Sequence, residues 1–256
     1  MKILLTGATG GIGKEIAFML AEKGHEIILG CRSIAKGNTL ADKIETTHGI
    51  RPQIVMIDLS DSTSVCKAVQ NPAMTQLDAV IHNAGVMNGR YTVGPDRRED
   101  TLNVNYHNTR LLTELLLDNI GDNGSIVFTT SATRSWYPFQ KLKGDIAKRE
   151  FGRLKTYALS KKLITRYAAS LASEKKVTGR GIRVNCADPG VADTPMLRMN
   201  RWFDPLTDLF FRPFCLNPAK SAKTSVRALE SDLTGYIFKS PFGKCPNRKK
   251  LKDDIV

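Results

Sequence analysis

Three side chains in the second half of the sequence have types and spacings suited to proton exchange with an organic oxygen atom. Tyr157 and Lys161 lie four positions apart in a segment with helical periodicity, so both side chains would share one face of the helix. A free tyrosine has a pKa of about 10, and a neighbouring cation would lower that pKa and make the phenol a usable acid and base. Ser131 ends a strand-like run and could hydrogen-bond the same substrate oxygen. A Tyr–Lys pair alone is common on amphipathic helices, so the serine is what favours a catalytic interpretation.

A glycine-rich turn near the N-terminus has the composition of a phosphate-binding loop. Residues 6–13 read TGATGGIG, directly after the first predicted strand and at the start of the first predicted helix. Glycines let the backbone approach a pyrophosphate, and a helix N-terminus offers free N–H groups and a positive dipole end. The spacing can be counted through Gly10 or through Gly11, so the turn predicts a dinucleotide but not the enzyme branch. The predicted contacts are Gly7, Thr9, Gly11, Ile12 and Gly13.

The end of the second predicted strand indicates which dinucleotide is bound. NAD-binding proteins usually place an acidic residue there to hold the ribose 2′-hydroxyl. This chain has Gly30-Cys31-Arg32-Ser33 instead. Arg32 could pair with a 2′-phosphate, and Lys14 could add a second positive charge, although both could also be ordinary surface charges. The sequence therefore favours NADP(H) as the cofactor over NAD(H).

Apolar runs of strand length alternate with helical patterns almost throughout the chain. This alternation predicts parallel strands joined by right-handed crossovers, with helices on both faces of the sheet. No repeat or linker interrupts it, so residues 1–256 are predicted to form one α/β domain with a Rossmann-type, doubly wound sheet of about seven strands. The predicted strands are 2–6, 26–31, 53–57, 78–82, 124–130, 181–187 and 235–238.

Composition narrows the class of partner. The net charge is +13, but the basic residues are dispersed rather than interleaved with aromatic ones, which favours a phosphorylated small molecule over a nucleic acid. No apolar run is long enough for a transmembrane anchor and no secretory leader is recognisable, so a cytoplasmic protein is expected. The five cysteines are widely spaced and predict free thiols and no metal site. The basic residues at 241–256 predict a solvated tail.

Taken in order along the chain, these motifs resemble the short-chain dehydrogenase/reductase family from Lys2 to about Tyr236. The retinol-dehydrogenase-like and carbonyl-reductase-like group is the most similar branch. Two stretches depart from that group: residues 108–110 replace small and aromatic residues, and Asp188 stands where histidine is common. Besides the turn, Ser131 and the Tyr157/Lys161 pair, the resemblance rests on Asp58, Asn83-Ala84-Gly85, Asn105 and Pro189 to Thr194.

The resemblance implies hydride transfer between NADP(H) and a carbonyl/alcohol pair. Tyr157 would donate the proton in reduction and accept it in oxidation, while Lys161 would lower the pKa of Tyr157 and hold the nicotinamide ribose. Ser131 would polarise the substrate oxygen, and Asn105 would hold a water in a proton relay through Lys161. The remaining implied cofactor contacts are Asp58 and Leu59 at the adenine, Asn83, Ala84 and Gly85 on the adenine-ribose side, and Pro189, Gly190, Val191 and Thr194 at the nicotinamide.

Segment 193–216 is rich in aromatic and aliphatic residues, and the resemblance implies that it forms a lid over a hydrophobic small-molecule substrate. It could instead pack against a second subunit or into the core, or make weak peripheral contact with a membrane through its interspersed arginines. Ser131 and Tyr157 are 26 positions apart, and in similar enzymes such an insertion can obstruct a tetramer contact, so the resemblance implies a monomer or a homodimer.

Two other functions remain open at this point. A cofactor-sensing binding protein could use the same fold, but such proteins tend to lose the tyrosine or the lysine. A sugar-nucleotide epimerase or dehydratase also uses a Tyr/Lys pair, but it usually has a longer segment after the lysine than this chain has. The intact catalytic set therefore favours an oxidoreductase.

Overall fold

The computed structural model describes residues 1–137, 143–190, 217–240 and 248–252. Their strands form one eight-stranded sheet in the order β3-β2-β1-β4-β5-β6-β7-β8. All neighbouring strands are parallel except β7 and β8, which pair antiparallel. The strands are β1 (Lys2–Thr6), β2 (Glu26–Cys31), β3 (Gln53–Met56), β4 (Leu77–His82), β5 (Ile120–Thr129), β6 (Arg183–Asp188), β7 (Tyr236–Lys239) and β8 (Arg248–Lys250).

Helices connect the parallel strands and cover both faces of the sheet, which confirms the predicted α/β fold. Short 3₁₀ segments occupy Pro72–Met74, Leu117–Asn119, Ala132–Trp136 and Lys148–Glu150, and a π-helical segment occupies Asn103–His107. The α-helices are α1 (Gly11–Glu22), α2 (Ile34–His48), α3 (Ser62–Val69), α4 (Asp100–Leu102), α5 (Asn108–Leu116), α6 (Arg153–Leu171), α7 (Lys175–Thr178) and α8 (Pro218–Glu230).

Two apolar layers hold the helices against the sheet. In β1, Leu4 faces one layer while Ile3 and Leu5 face the other, as the alternation of side chains along a strand requires. The Leu4 side packs against α3, α5 and α6, and the Ile3 side packs against α1, α2 and α8. All three β1 residues are fully buried, so β1 is a central strand covered on both faces.

Two differences from the predicted strands have local causes. Strand β5 begins at Ile120, not at 124, because Ile120 already pairs with Leu77 of β4; residues 121–124, with Asn123 left-handed (φ 60°), form an irregularity before pairing resumes at Ser125 opposite Ala79. Strand β8 lies inside 241–256, where a solvated basic tail was expected, and it makes the strand count eight. Lys249 pairs with Ile237 there, and the following Leu251 is buried.

Candidate active site

The predicted functional residues gather at the carboxyl ends of the central strands. Strand order reverses between β1 and β4, since β2 and β3 lie on one side and β5 to β8 on the other. Open α/β sheets bind ligands at such a reversal. Thr6 is in register with His82, and Thr129 with Ala187, so the loops after β1, β4, β5 and β6 leave the sheet along one edge.

The glycine turn after β1 is held closed by the loop after β4. Asn83 Nδ2 donates to the carbonyl oxygens of Thr6 and Gly7, both at 3.2 Å, and the Ala84 N–H donates to Thr6 Oγ1. Gly7 has φ +65°, and a Cβ there would lie 2.6 Å from the Ala84 Cα. A Cβ on Gly13 would overlap the Gly7 carbonyl oxygen. Asn83 and Ala84 therefore fix the conformation of the turn through hydrogen bonds and packing. The short distances leave no room for a Cβ at Gly7 or at Gly13.

The N-terminus of α1 is suited to an anion. Its N-cap is Gly10, with no capping side chain and no acidic residue in the first turn. The first N–H groups of the helix are therefore not engaged by a cap. Thr9, Gly11 and Ile12 are partly exposed at this end of the helix. These features and the cradle that a Cβ would fill fit the pyrophosphate of a dinucleotide.

Four residues are predicted to bind the 2′-phosphate and the adenine of the cofactor. Arg32 and Lys14 are exposed, and neither has an ion-pair partner among the described residues. One oxygen of Asp58 accepts the N–H and hydroxyl of Ser60, while the Leu59 carbonyl accepts from Asn108 Nδ2 at 3.0 Å. Asp58 and Leu59 thus shape the loop after β3, and their contact with an adenine stays a prediction.

Tyr157 and Lys161 lie on α6 against the end of β5. Lys161 is buried, and its Nζ donates to the Thr129 carbonyl at 2.9 Å and lies 5.6 Å from the centroid of the Tyr157 ring. Burial lowers the pKa of Lys161 to about 8. Burial raises the pKa of Tyr157 to about 12, the negative charge of Asp188 acts in the same direction, and a hydrogen bond with Ser131 opposes both.

The predicted effect of Lys161 on the pKa of Tyr157 stays a prediction. The ammonium is bound to a carbonyl oxygen of β5, and in this structure the loss of water around the phenol is the main influence on that pKa and raises it. The pKa of about 12 keeps Tyr157 neutral near pH 7. A neutral phenol is the form that donates a proton.

Ser131 begins the 3₁₀ segment that follows β5. Its Oγ accepts from the N–H of Thr133 at 3.3 Å and from the Thr133 hydroxyl at 3.1 Å, and its interaction with Tyr157 acts to lower the pKa of that phenol. The N-cap role therefore holds the serine hydroxyl on the side of the 3₁₀ segment that faces Tyr157.

Asn105 lies in the π-helical segment between α4 and α5, a type of helix that often occurs at functional sites. Its amide group exchanges two hydrogen bonds with the backbone of Val86, at 2.8 and 2.9 Å, and donates to Ser160 Oγ on α6 at 3.0 Å. A Cβ on Gly85 would lie 3.3 Å from Asn105 Oδ1 and 3.4 Å from Lys161 Nζ. The structure thus brings Gly85, Asn105 and Lys161 together, while the water relay stays a prediction.

The structure also shows polar contacts that the sequence analysis did not predict. Asp96 accepts hydrogen bonds from Ser62, Asn103 and Asn108, and so ties the loop before α4 to α3 and α5. Asn108 Nδ2 therefore has two acceptors, the Leu59 carbonyl and the Asp96 carboxylate. Arg134 and Asp188 form a buried ion pair at 2.8 Å. Asp188 was noticed as a departure, but nothing in the sequence pattern singled out Arg134 as its partner.

Part of the predicted cofactor site lies outside the described residues. Pro189 and Gly190 are described: Gly190 has φ 72°, and its N–H donates to Asp188 Oδ1 at 3.2 Å. Val191, Thr194 and the whole predicted lid at 193–216 fall on residues that are not described, and so does the predicted tail at 241–256 except for residues 248–252.

A glycine turn suited to a phosphate and a Ser–Tyr–Lys group around the buried Lys161, at one sheet edge, are typical of one class of dinucleotide-dependent oxidoreductases. A model of the short chain dehydrogenase family matches residues 1–203. The chain belongs to this family, which confirms the resemblance.

Among known proteins, human retinol dehydrogenase 12 is 30% identical over 247 residues, covering 92% of this chain and 76% of that protein. YciK, an uncharacterized oxidoreductase of Escherichia coli K12, is 34% identical over 206 residues, covering 76% and 74%. A solved short chain dehydrogenase of Escherichia coli CFT073, complexed with NADPH, is 27% identical with a TM-score of 0.71, covering 93% of this chain and 96% of that one.

The described residues lack two features, a membrane-spanning helix and a metal-binding cluster. No helix among them is long and apolar enough to cross a bilayer. In the same ranges, no three His, Cys, Asp or Glu side chains group in a way that could hold a metal ion.

Proposed function

We propose that this protein is an NADP(H)-dependent oxidoreductase that interconverts a carbonyl and an alcohol on a hydrophobic small molecule. The observation that carries the proposal is the placement of Ser131 and Tyr157 within interaction distance of each other, beside the buried Lys161 and at the same sheet edge as the glycine turn. The related structure complexed with NADPH supports the choice of cofactor.

The cofactor would be held by groups from three loops. The N–H groups at the start of α1 would bind the pyrophosphate, Arg32 and Lys14 the 2′-phosphate, and the turn at Pro189–Gly190 the nicotinamide. When bound, NADPH supplies a hydride and NADP⁺ accepts one. The exposed positions of Arg32 and Lys14 leave both charges available to a phosphate.

The protein's own residues donate and accept the proton. In reduction, Ser131 Oγ and the Tyr157 hydroxyl hydrogen-bond the carbonyl oxygen, and Tyr157 then gives its proton to that oxygen as negative charge develops on it. Lys161, which carries a positive charge below pH 8 or so, stabilises the phenolate that this transfer leaves. In oxidation the same proton returns to Tyr157.

The hydrophobic character of the substrate is supported by two exposed side chains near the catalytic pair. Trp136, on the 3₁₀ segment that begins after Ser131, is 68% exposed, and Leu154, one turn before Tyr157 on α6, is 54% exposed. Human retinol dehydrogenase 12, which is similar to this chain, acts by its name on an apolar alcohol.

The direct test is a panel of aldehydes, ketones and alcohols of graded size and polarity, followed by the absorbance of NADPH. We expect NADPH oxidation with bulky apolar carbonyls and little with small polar ones, and weaker activity with NADH. Tight binding of NADPH without turnover across the whole panel would favour a cofactor-sensing protein instead.

A further inference from the structure

Arg134 and Asp188 are oppositely charged side chains buried together between the loops after β5 and β6. Arg134 Nη1 lies 2.8 Å from Asp188 Oδ2, and the two side chains are only 3% and 6% exposed. In the other ion pairs of the described residues, both side chains are at least 24% exposed. This pair is therefore the deeply buried one in the described part of the chain, and it lies at the candidate active site.

Each end of the pair holds a different part of the site. Arg134 Nη1 also donates to the carbonyl oxygen of Ser131 at 2.7 Å, and the Arg134 backbone N–H donates to the same oxygen. At the other end, Asp188 Oδ1 accepts the N–H of Gly190. A continuous chain of contacts thus runs from the serine beside Tyr157 to the turn at Pro189–Gly190.

Stability alone does not account for charged residues at these positions. Removing two charges from water costs free energy that their attraction often only just repays, and apolar residues of similar volume can be equally stabilising. What an apolar pair cannot supply is the set of directed hydrogen bonds to Ser131 and Gly190. Those bonds are the property that the charged pair adds.

We propose that Arg134 and Asp188 are positioning residues that fix the hydroxyl of Ser131 relative to the turn at Pro189–Gly190. This inference rests on the proposed function, in which Ser131 binds the substrate oxygen and the turn binds the nicotinamide. Hydride transfer requires reacting atoms held at about 3–3.5 Å, and a misplacement of about 1 Å can reduce the rate a hundred-fold. The ion pair spans the two groups whose separation sets that distance.

The test replaces the pair by apolar residues and compares stability with turnover. Arg134→Met and Asp188→Leu are each expected to lower the melting temperature, because each leaves one buried charge without its partner. The double variant is expected to regain a melting temperature close to that of the wild type. Its kcat for NADPH-dependent carbonyl reduction should nevertheless stay about ten- to a hundred-fold below the wild-type value.

A second readout does not depend on turnover. Hydrogen exchange of peptides covering 131–136 and 186–190 should be faster in the double variant than in the wild type, because the bonds to Ser131 and Gly190 are gone. The matched control is the exposed pair Lys176–Asp118, whose side chains are 54% and 76% exposed. Replacing both of its members by apolar residues should leave kcat and exchange at 131–136 and 186–190 unchanged.

A double variant with restored stability and a kcat within about two-fold of the wild type would show that the pair is only structural, and would overturn the inference. If the double variant fails to fold, Arg134→Lys provides the test of the inference. This variant keeps the positive charge but lacks the planar guanidinium, and we expect it to fold with a reduced kcat. Wild-type kcat in that variant would also overturn the inference. Failure of the proposed function is recognised separately, since the wild type would then be as inactive as Tyr157→Phe on the whole panel.

Discussion

The two sides of the candidate site are built in different ways. The nucleotide side, at the ends of β1 and β2, consists of glycine backbone packed within van der Waals contact of the loop after β4, with exposed basic side chains around it. The proposed catalytic side, at the ends of β5 and β6, places the half-buried Ser131 and Tyr157 beside buried polar side chains, those of Lys161, Arg134 and Asp188. Binding of a phosphate requires backbone N–H groups at close range and a backbone shape that leaves room for the phosphate. A proton transfer needs a water-poor setting in which pKa values shift. Substitutions on the two sides should therefore fail in different ways.

The sharpest test of this contrast is Tyr157→Phe on the catalytic side. The phenyl ring keeps the packing on α6 but removes the proton, so kcat for carbonyl reduction should fall by about 10³-fold. The dissociation constant for NADPH, measured by fluorescence titration, should change by less than about two-fold, because the phosphate contacts lie on the other side. A variant that kept most of its turnover would show that another group supplies the proton.

The fold and the gathering of Ser131, Tyr157 and Lys161 at one place could be predicted from the sequence because both depend on local patterns. Strand–helix alternation predicted the parallel sheet, and the positions of Ser131, Tyr157 and Lys161 after β5 and on α6 place them at one edge. The pKa of Tyr157 could not be read in the same way. It depends on how much water α6 and the end of β5 exclude, and on Asp188, which lies on another strand.

The contacts that were missed join residues far apart in the sequence. Arg134 and Asp188 come from loops after different strands, and Asp96 meets Ser62 and Asn108 from three separate segments. No local periodicity marks such pairs. Strand β8 was missed for a related reason: its basic side chains suggested solvent, while the pairing with β7 is made by backbone groups.

On the nucleotide side, Gly13→Ala should act on the fold and on cofactor binding together. Alanine is normally favoured over glycine in a helix by up to about 1 kcal/mol. Here its Cβ would overlap the Gly7 carbonyl and come within 2.8 Å of Asn83 Nδ2, so we expect a net loss of about 2–3 kcal/mol in the free energy of unfolding. Urea denaturation measures it. Gly89→Ala is the matched control, since a Cβ there meets nothing within 4 Å.

Arg32→Ala should separate binding from turnover more cleanly. Arg32 is exposed at the end of β2, so its loss should leave the fold intact and remove one charge-assisted contact with a 2′-phosphate. We expect KM for NADPH to rise about ten-fold, with KM for NADH and the kcat at saturation nearly unchanged. Lys175→Ala, an exposed cation on α7, is the control for general loss of positive charge. Equal effects on both cofactors would contradict the assignment of Arg32.

The smallest expected effect is on stability, and it concerns Asp96 in the loop before α4. Burial acts to raise the pKa of Asp96, but hydrogen bonds from Asn103, Asn108 and Ser62 outweigh it and lower the pKa from 3.8 to about 2. A carboxyl group whose pKa is lower in the folded state stabilises the fold above its unfolded pKa, and that contribution is lost as the pH falls through the folded value. Asp96→Asn should therefore cost about 1–2 kcal/mol at pH 7, and the difference from the wild type should shrink between pH 4 and 2 or so.

Denaturant unfolding of the wild type and Asp96→Asn at several pH values measures that difference. Asp232→Asn is a suitable control, because the Asp232 side chain is fully exposed. A cost that stays the same down to pH 2 would mean that the shape of the side chain, and not its charge, ties the loop before α4 to α3 and α5. In that case the contacts of Asp96 would resemble those of the glycine turn, where close packing determines the conformation, more than those of the buried and charged catalytic side.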